Sequence, residues 1–454
     1  MGERPRTRGL TMEATTTRLG TTPDRRQRLL PPGWAFYALF LGTPIWWALG
    51  LAGFIWPILA IPMLISLMLK RDIVLPRGFW IWLLFLLWVF TSAAAIDRGS
   101  AWFTYLYRLS TYLSATVVFV YVLNARRELP IRNVAYTLAA YWMYVVVFGY
   151  AALAAPHASF ASLLEIVMRK LGLGSLIANP LLFNLVHPRL SQVQVFLGYA
   201  SPRPTAPFLY TNNWGSAFAL LIPFVIASIA ISRRQLYKRG LVVALLFSLV
   251  PLVWSVDRGA WISLGAGLTY ALVRFALRQN ARAVLIATWV AAIVVTLIFA
   301  SPLQKIISDR LAHPHSNEGR ALLYQNATDQ ISQSPIIGFG VPLPPPHNKL
   351  LPNVGTQGQF WLVMVSTGIP GLVFFLWWWC YAFWRSRGGG TPIRFWANVT
   401  LIMLFYQMWV YGFLPAQIHI LMIAAALAWR ETIPPPEGSE GAALPNTRYA
   451  VPVG

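Results

Sequence analysis

The chain has 454 residues, of which 57% are hydrophobic and only 11% charged, with a mean hydropathy of +0.56. A soluble domain carries about 25% charged residues, so this composition excludes one and points to a polytopic membrane protein. The net charge of +22 does not indicate nucleic acid, because Lys and Arg stand in short clusters between apolar runs, and the single Cys380 excludes an intramolecular disulfide or a cysteine-cluster metal site.

Residues 1–32 are basic and polar and read as a disordered cytoplasmic tail. The apolar stretch after them is too long for a signal-peptide core, and no small-residue cleavage site follows it. A membrane helix needs roughly 20 apolar residues. Runs of that kind lie near 33–50, 51–69, 78–96, 102–124, 133–153, 208–231, 240–256, 259–277, 283–300, 359–384, 395–413 and 414–429, twelve in all. Residues 33–69 form one block too long for a single span and are split at Gly50. The pairs 240–277 and 395–429 are tight hairpins, the first turning at Asp257-Arg258-Gly259. Residues 430–454, with Pro434-Pro435-Pro436 and scattered Gly, read as a second disordered cytoplasmic tail.

The segments assigned inside hold 25 of the 36 Lys and Arg, and the alternation holds at every loop. The expected fold is therefore an all-α integral membrane domain over 33–429, with about twelve helices and both termini cytoplasmic. Two extracytoplasmic loops are long, 154–207 and 301–358, the latter lying between spans nine and ten. They hold five of the six histidines: His157, His187, His313, His315 and His347. Long loops on a helical scaffold are where function concentrates, so the chemistry is expected on the extracytoplasmic face. ATP is not available there, and no glycine loop that would cradle phosphate occurs.

His347-Asn348 ends a proline-stiffened arm, SPIIGFGVPLPPPHN, just before a span. Imidazole has the unperturbed pKa closest to neutrality and is a ready general base; the plainer reading is a solvated loop histidine. Three arginines share that side. Arg203, in SPRPTAPFLYTNN, is held extended between prolines and reads equally as an interfacial anchor. Arg258, in WSVDRGAW, lies at a helix–helix turn, where snorkelling or pairing with Asp257 also accounts for it. Arg320 opens an expected helix, GRALLYQNATDQIS, with Asn317 as its N-cap. An arginine in a first turn opposes the macrodipole unless an anion is near. Within the spans, Arg108 and His419 are the exceptions to an almost uncharged interior. No HExxH, DxD or paired-carboxylate pattern supports a metal-dependent mechanism. One base and several fixed guanidinium groups suit a reaction whose leaving group is a polyanion such as a lipid-linked pyrophosphate.

Three separated blocks together resemble the O-antigen ligase and polymerase superfamily of bacterial envelope enzymes. They are RPTAPFLYTNNWGSAFAL (203–220), WSVDRGAWISLGAG (254–267), and GRALLYQNATDQISQSPIIGFG followed by HN and STGIPGL (366–372). The resemblance implies transfer of a glycan from undecaprenyl pyrophosphate to a hydroxyl acceptor, with inversion, without metal or cofactor, at the outer face of the bacterial cytoplasmic membrane. By position, His347 would be the base, with Arg203 and Arg258 gripping the pyrophosphate and Arg320 helping to neutralise it. Asn348, Asn212 and Asp257 would serve in substrate binding. The expected partners are the donor lipid, a lipid- or glycan-bearing acceptor and membrane lipid, with no nucleic acid. Ligase, polymerase and protein glycosyltransferase share this donor chemistry. The rival class is a secondary transporter of a small anion such as bicarbonate, which would bury ionisable groups near mid-membrane.

Overall fold

The computed structural model describes residues 31–70, 72–196, 199–282, 315–344, 353–388 and 390–433, with isolated positions at 2, 284–286, 288–289, 292 and 296. Side chains at 194–200 and 315–320 are outside that description. The described chain is a helical membrane domain. It runs α1 (Trp34–Leu41), α2 (Thr43–Ala48), α3 (Ile55–Met68), α4 (Phe79–Thr91), α5 (Ala101–Asn124) and α6 (Ile131–Ala154). Short helices α7 (Leu163–Lys170), α8 (Gly174–Ile177) and α9 (Pro180–Val186) follow, then strands β1 (Ser191–Phe196) and β2 (Tyr199–Pro204). The remainder is α10 (Thr211–Ile231), α11 (Gln235–Phe247), α12 (Leu249–Trp254), α13 (Arg258–Leu277), α14 (His315–Ile331), α15 (Gln359–Ser386), α16 (Pro392–Val410) and α17 (Pro415–Arg430).

Among the described residues, six helical stretches are long and apolar enough to cross a membrane: α5, α6, α10, α11 with α12, α13 and α15. Each falls on a span read from the sequence, and α3 and α4 are apolar but shorter. The expected first span is instead two helices. Gly42 separates α1 from α2, and the Trp46 indole lies 2.5 Å from where a Cβ at 42 would stand, donating to the Ala38 carbonyl at 2.8 Å. The split at Gly50 stands, with that residue at φ 76°. Much of the expected span at 283–300, and almost all of the tails 1–32 and 430–454, fall outside the described residues.

The strands depart from an all-α expectation. They form an antiparallel hairpin in register Gln192↔Arg203 and Ser191↔Pro204. Alternating SQVQVF suits a strand, and YASPRP is held extended by its prolines. Pro202 and Pro204 share one parity and Arg203 the other, so the arginine faces away from both prolines.

The centre of the bundle is α17, in which every residue from Pro415 to Arg430 is buried. A helix apolar on all sides is a core helix, and Ala424-Ala425-Ala426 lets its neighbours α5 and α16 approach closely. Large apolar side chains such as Ile61, Met68, Leu87 and Phe247 are exposed, as on a lipid-facing surface.

α15 is kinked at Gly368, which takes φ 71° and ψ −176°. The loop Pro335–Gly340 fills that kink. Phe339 and Gly340 donate to the Val365 and Ser366 carbonyls at 3.0 and 2.8 Å, and Ile369 donates to Pro335 at 2.7 Å. Trp88 on α4 donates to the Ile336 carbonyl at 3.0 Å. The Pro-x-x-Gly-x-Gly and Gly-x-x-Gly stretches are therefore one structural joint, each satisfying backbone groups that the other leaves open.

Candidate functional site

Arg203, on β2, is 7% exposed, and its Nε donates to the Ser255 carbonyl at 2.7 Å. Ser255 ends α12, so this bond joins the hairpin to the α12–α13 turn, three residues before Arg258. The turn is strained. Val256 takes φ 48°, a left-handed conformation rare for a β-branched residue and costing about 1–3 kcal/mol. Asp257 N–H donates to Ser255 Oγ at 3.2 Å, which helps hold the turn. Arg258 is the first residue of α13 and is half-buried.

Asp257 does not cap α13 with its side chain. Its Oδ1 accepts from the Tyr411 hydroxyl at 2.5 Å. Its Oδ2 lies 2.3 Å from where a Cβ on Gly215 would sit, so only glycine at that point of α10 admits the carboxylate. The first turn of α10 also carries the two asparagines. Asn213 Nδ2 donates to the Gly412 carbonyl at 3.2 Å. Asn212, the residue expected to bind substrate, is half-buried beside it.

The link between α16 and α17, Tyr411–Leu414, is where the helices converge. Gln359, fully buried at the start of α15, donates its N–H to the Tyr411 carbonyl at 2.7 Å. Its Nε2 donates to the Tyr112 hydroxyl on α5 at 2.9 Å, and its Oε1 accepts from Phe413 N–H at 2.9 Å. Gln417 Nε2 donates to the Asn213 carbonyl at 2.8 Å. Gln407 accepts from Ser216 Oγ at 2.6 Å and donates to Ser263 Oγ at 2.9 Å. These glutamines connect six helices and were not read from the sequence. Their signal is there, as isolated amides in otherwise apolar spans.

Arg320 is placed differently from the expectation. α14 begins at His315, so Asn317 lies inside the helix and Arg320 is its sixth residue. Gly319 does not stop the helix, since a helical glycine costs only about 1 kcal/mol. The macrodipole acts within the first turn, so it no longer singles out Arg320. α14 docks through Tyr324, which stacks on Trp361 with centroids 4.5 Å apart and donates to the Trp409 carbonyl at 3.2 Å. His347 and Asn348 lie outside the described residues. Their flanks pair: Val354 N–H donates to the Leu343 carbonyl at 2.7 Å.

Two other titratable clusters stand apart. Glu165 on α7 is 2% exposed; His187 Nδ1 lies 2.8 Å from its Oε2, and Arg169 reaches its Oε1 at 2.7 and 3.0 Å. Burial pushes this carboxyl up, but the bonds from His187 and Arg169 outweigh it and hold the group below its ordinary value. His419 is buried in α17, its Nδ1 2.5 Å from the Pro415 carbonyl and its ring against Trp56. Among the described residues no three His, Cys, Asp or Glu gather where a metal could sit.

The family model described as O-antigen ligase, Wzy_C, matches residues 242–376. The match runs from α11 into α15 and takes in Asp257, Arg258, Arg320, His347 and Asn348, but not Arg203 or Asn212. No curated protein matches the chain. Over this stretch the chain is similar to the O-antigen ligase family, which supports membership of the O-antigen ligase/polymerase superfamily, and its long apolar helices fit a multi-pass membrane protein.

Proposed function

We infer that the protein is an inverting, metal-independent glycosyltransferase. It moves a glycan from undecaprenyl pyrophosphate to a hydroxyl acceptor at the outer face of a twelve-span membrane domain. The observation that carries this reading is the bond from Arg203 to the Ser255 carbonyl. It joins a residue outside the matched region to the turn that presents Arg258, although the two lie more than fifty residues apart. Guanidinium groups do not deprotonate and bind phosphate oxygens in pairs, so two of them can stabilise a departing pyrophosphate.

In the proposed reaction the acceptor oxygen attacks the anomeric carbon while the bond from that carbon to the pyrophosphate oxygen breaks. The acceptor proton passes to the His347 imidazole, and the lipid pyrophosphate leaves with the electron pair toward Arg203 and Arg258. Attack from the face opposite the leaving group inverts the anomeric centre. Asn348 orients the imidazole, and Arg320 adds positive charge to the approach.

The test is purified protein in proteoliposomes with a lipid-pyrophosphate glycan donor and a lipid acceptor. Wild type should release undecaprenyl pyrophosphate, and His347→Ala should not, at equal expression. Near-normal turnover by His347→Ala refutes the base. Uptake of bicarbonate without any donor lipid would turn the reading toward transport.

A further inference from the structure

The segment between α6 and the hairpin is built inside out. Leu163, Ile166 and Val167 share one face of α7, by their i, i+3 and i+4 spacing, and all three are exposed. The other side holds the N-cap Ser162 and Glu165, both buried. α7 therefore buries its one carboxylate and turns its apolar stripe outward, the reverse of a helix packed on a core in water. The pattern continues past the helix, where Leu171, Leu173 and Leu176 are exposed as well. Scattered exposed leucines need no explanation, but six large aliphatic side chains within fourteen residues make a patch that calls for a partner.

What covers the patch follows from where the segment is tethered. Leu164 N–H donates to the Leu49 carbonyl at 3.2 Å, and a Cβ on Gly50 would lie 2.2 Å from Ser162 Oγ. Leu49 and Gly50 form the turn between the first two apolar runs. Trp47 on α2 packs edge-on against Phe160 and against Phe148 of α6, with centroids 5.5 and 4.9 Å apart. The start of α7 is thus held at the level where α2 and α6 end, and aromatic rings at that level suit a membrane–water boundary. Charge agrees with this placement. Glu165 is the one acidic residue in 154–207, while Arg169 and Lys170 close α7. Long basic side chains beside an apolar stripe lay their stems along it and keep their charges among lipid headgroups.

We propose that residues 163–176 form an interfacial foot, whose partner is the bilayer surface at the end of the bundle where α2 and α6 finish. The six aliphatic side chains enter the boundary between headgroups and acyl chains, and the buried Glu165 faces the protein. The foot is joined to the hairpin behind it. Ser162 Oγ donates to the Val186 carbonyl, Phe160 N–H donates to the Pro188 carbonyl at 3.1 Å, and His187 Nδ1 meets Glu165 at 2.8 Å. The strands that carry Arg203 are therefore held at a fixed depth relative to the bilayer surface. Neither the burial pattern nor the tethering depends on glycan transfer.

The test is spin labelling of the full-length protein in nanodiscs of phosphatidylglycerol and phosphatidylcholine. Cys380 is the only cysteine, so Cys380→Ser supplies a background without thiols. Nitroxides at Leu171→Cys and Leu176→Cys report collisions with oxygen, which dissolves in the bilayer, and with a polar nickel chelate, which does not. Reference labels stand at Leu87→Cys, an exposed apolar position on α4, and at Asp329→Cys, an exposed polar position on α14. The oxygen-to-nickel ratio at 171 and 176 should approach that at 87 and exceed that at 329 by about tenfold, because the chelate is excluded from hydrocarbon. A ratio equal to that at 329 overturns the foot. Low access to both quenchers would place a protein surface on the patch, from a second copy or another chain, and overturns it too. Should either variant not fold, Ile166→Cys and Val167→Cys take its place with the same expected ratio, and water-like values there also overturn the proposal.

Discussion

The Tyr411 hydroxyl donates to Oδ1 of Asp257 at 2.5 Å, tying the α16–α17 link to the residue that precedes Arg258. From sequence, Asp257 reads as a local partner for Arg258. The structure uses it to hold the turn against a tyrosine 154 residues away. Asp257 is 5% exposed, so removing a donor from it costs about 1–3 kcal/mol. Tyr411→Phe should lower thermal stability in detergent by that order. It should also reduce kcat for glycan transfer by about tenfold, since the turn that presents Arg258 loosens. Wild-type stability together with wild-type kcat would show the bond to be incidental.

Arg203→Lys tests the other side of the turn. Lysine keeps the charge but has no Nε to donate to Ser255 while a fork faces outward. The expected result is a fall in kcat/KM for the lipid-pyrophosphate donor of at least about tenfold, with the protein still folded. Unaltered kinetics in this variant would count against the pyrophosphate role of Arg203.

At the α15 kink the constraint is backbone against backbone. A Cβ on Gly368 would lie 2.3 Å from the Ile336 carbonyl oxygen, and the φ of 71° is already unsuited to a side chain. Neither the carbonyl nor the φ can yield cheaply, so Gly368→Ala should cost more than about 2 kcal/mol and abolish most folded protein in a fluorescence-detected gel filtration assay. Gly265 lies inside α13 with nothing within 4 Å of its Cβ position. Gly265→Ala should be neutral or stabilising by about 0.5–1 kcal/mol. Equal behaviour of the two variants would remove the kink from the account.

How much of this could be read from the sequence depends on the kind of signal. The six long apolar helices could, because hydropathy is a local property of about 20 residues. The arginine at 203 and the turn at 257–259 could be found as well, because proline and glycine mark extended chain and reversal locally. The hairpin was less visible, since SQVQVF and YASPRP are short and sit in a segment without long apolar runs. The glutamines show in the sequence only as isolated amides, and the network they form does not show. Gln359, Gln407 and Gln417 matter through partners on other helices, and nothing in a single apolar span says which carbonyl will face its amide. The start of α14 was displaced for a third reason: Asn317 reads as an N-cap, yet the helix already runs from His315.

Glu165 gives the hairpin end of the protein a pH dependence whose sign follows from its partners. Its carboxyl is held below the ordinary value of 4.5 by His187 and Arg169, against the effect of burial. A depressed carboxyl contributes stability that is fully present above the unfolded pKa and is lost as pH falls through the folded one. The α7–α9 segment should therefore keep its protection from hydrogen exchange at neutral pH and lose it progressively below about pH 4.5. Glu165→Gln should lower that protection at pH 7 by about 1–3 kcal/mol, because it leaves His187 and Arg169 without their carboxylate. It should also flatten the dependence below pH 4.5, as no carboxylate remains to titrate. Protection that rises on acidification, or a variant with the same acid profile as wild type, would mean that this cluster does not hold α7 to α9.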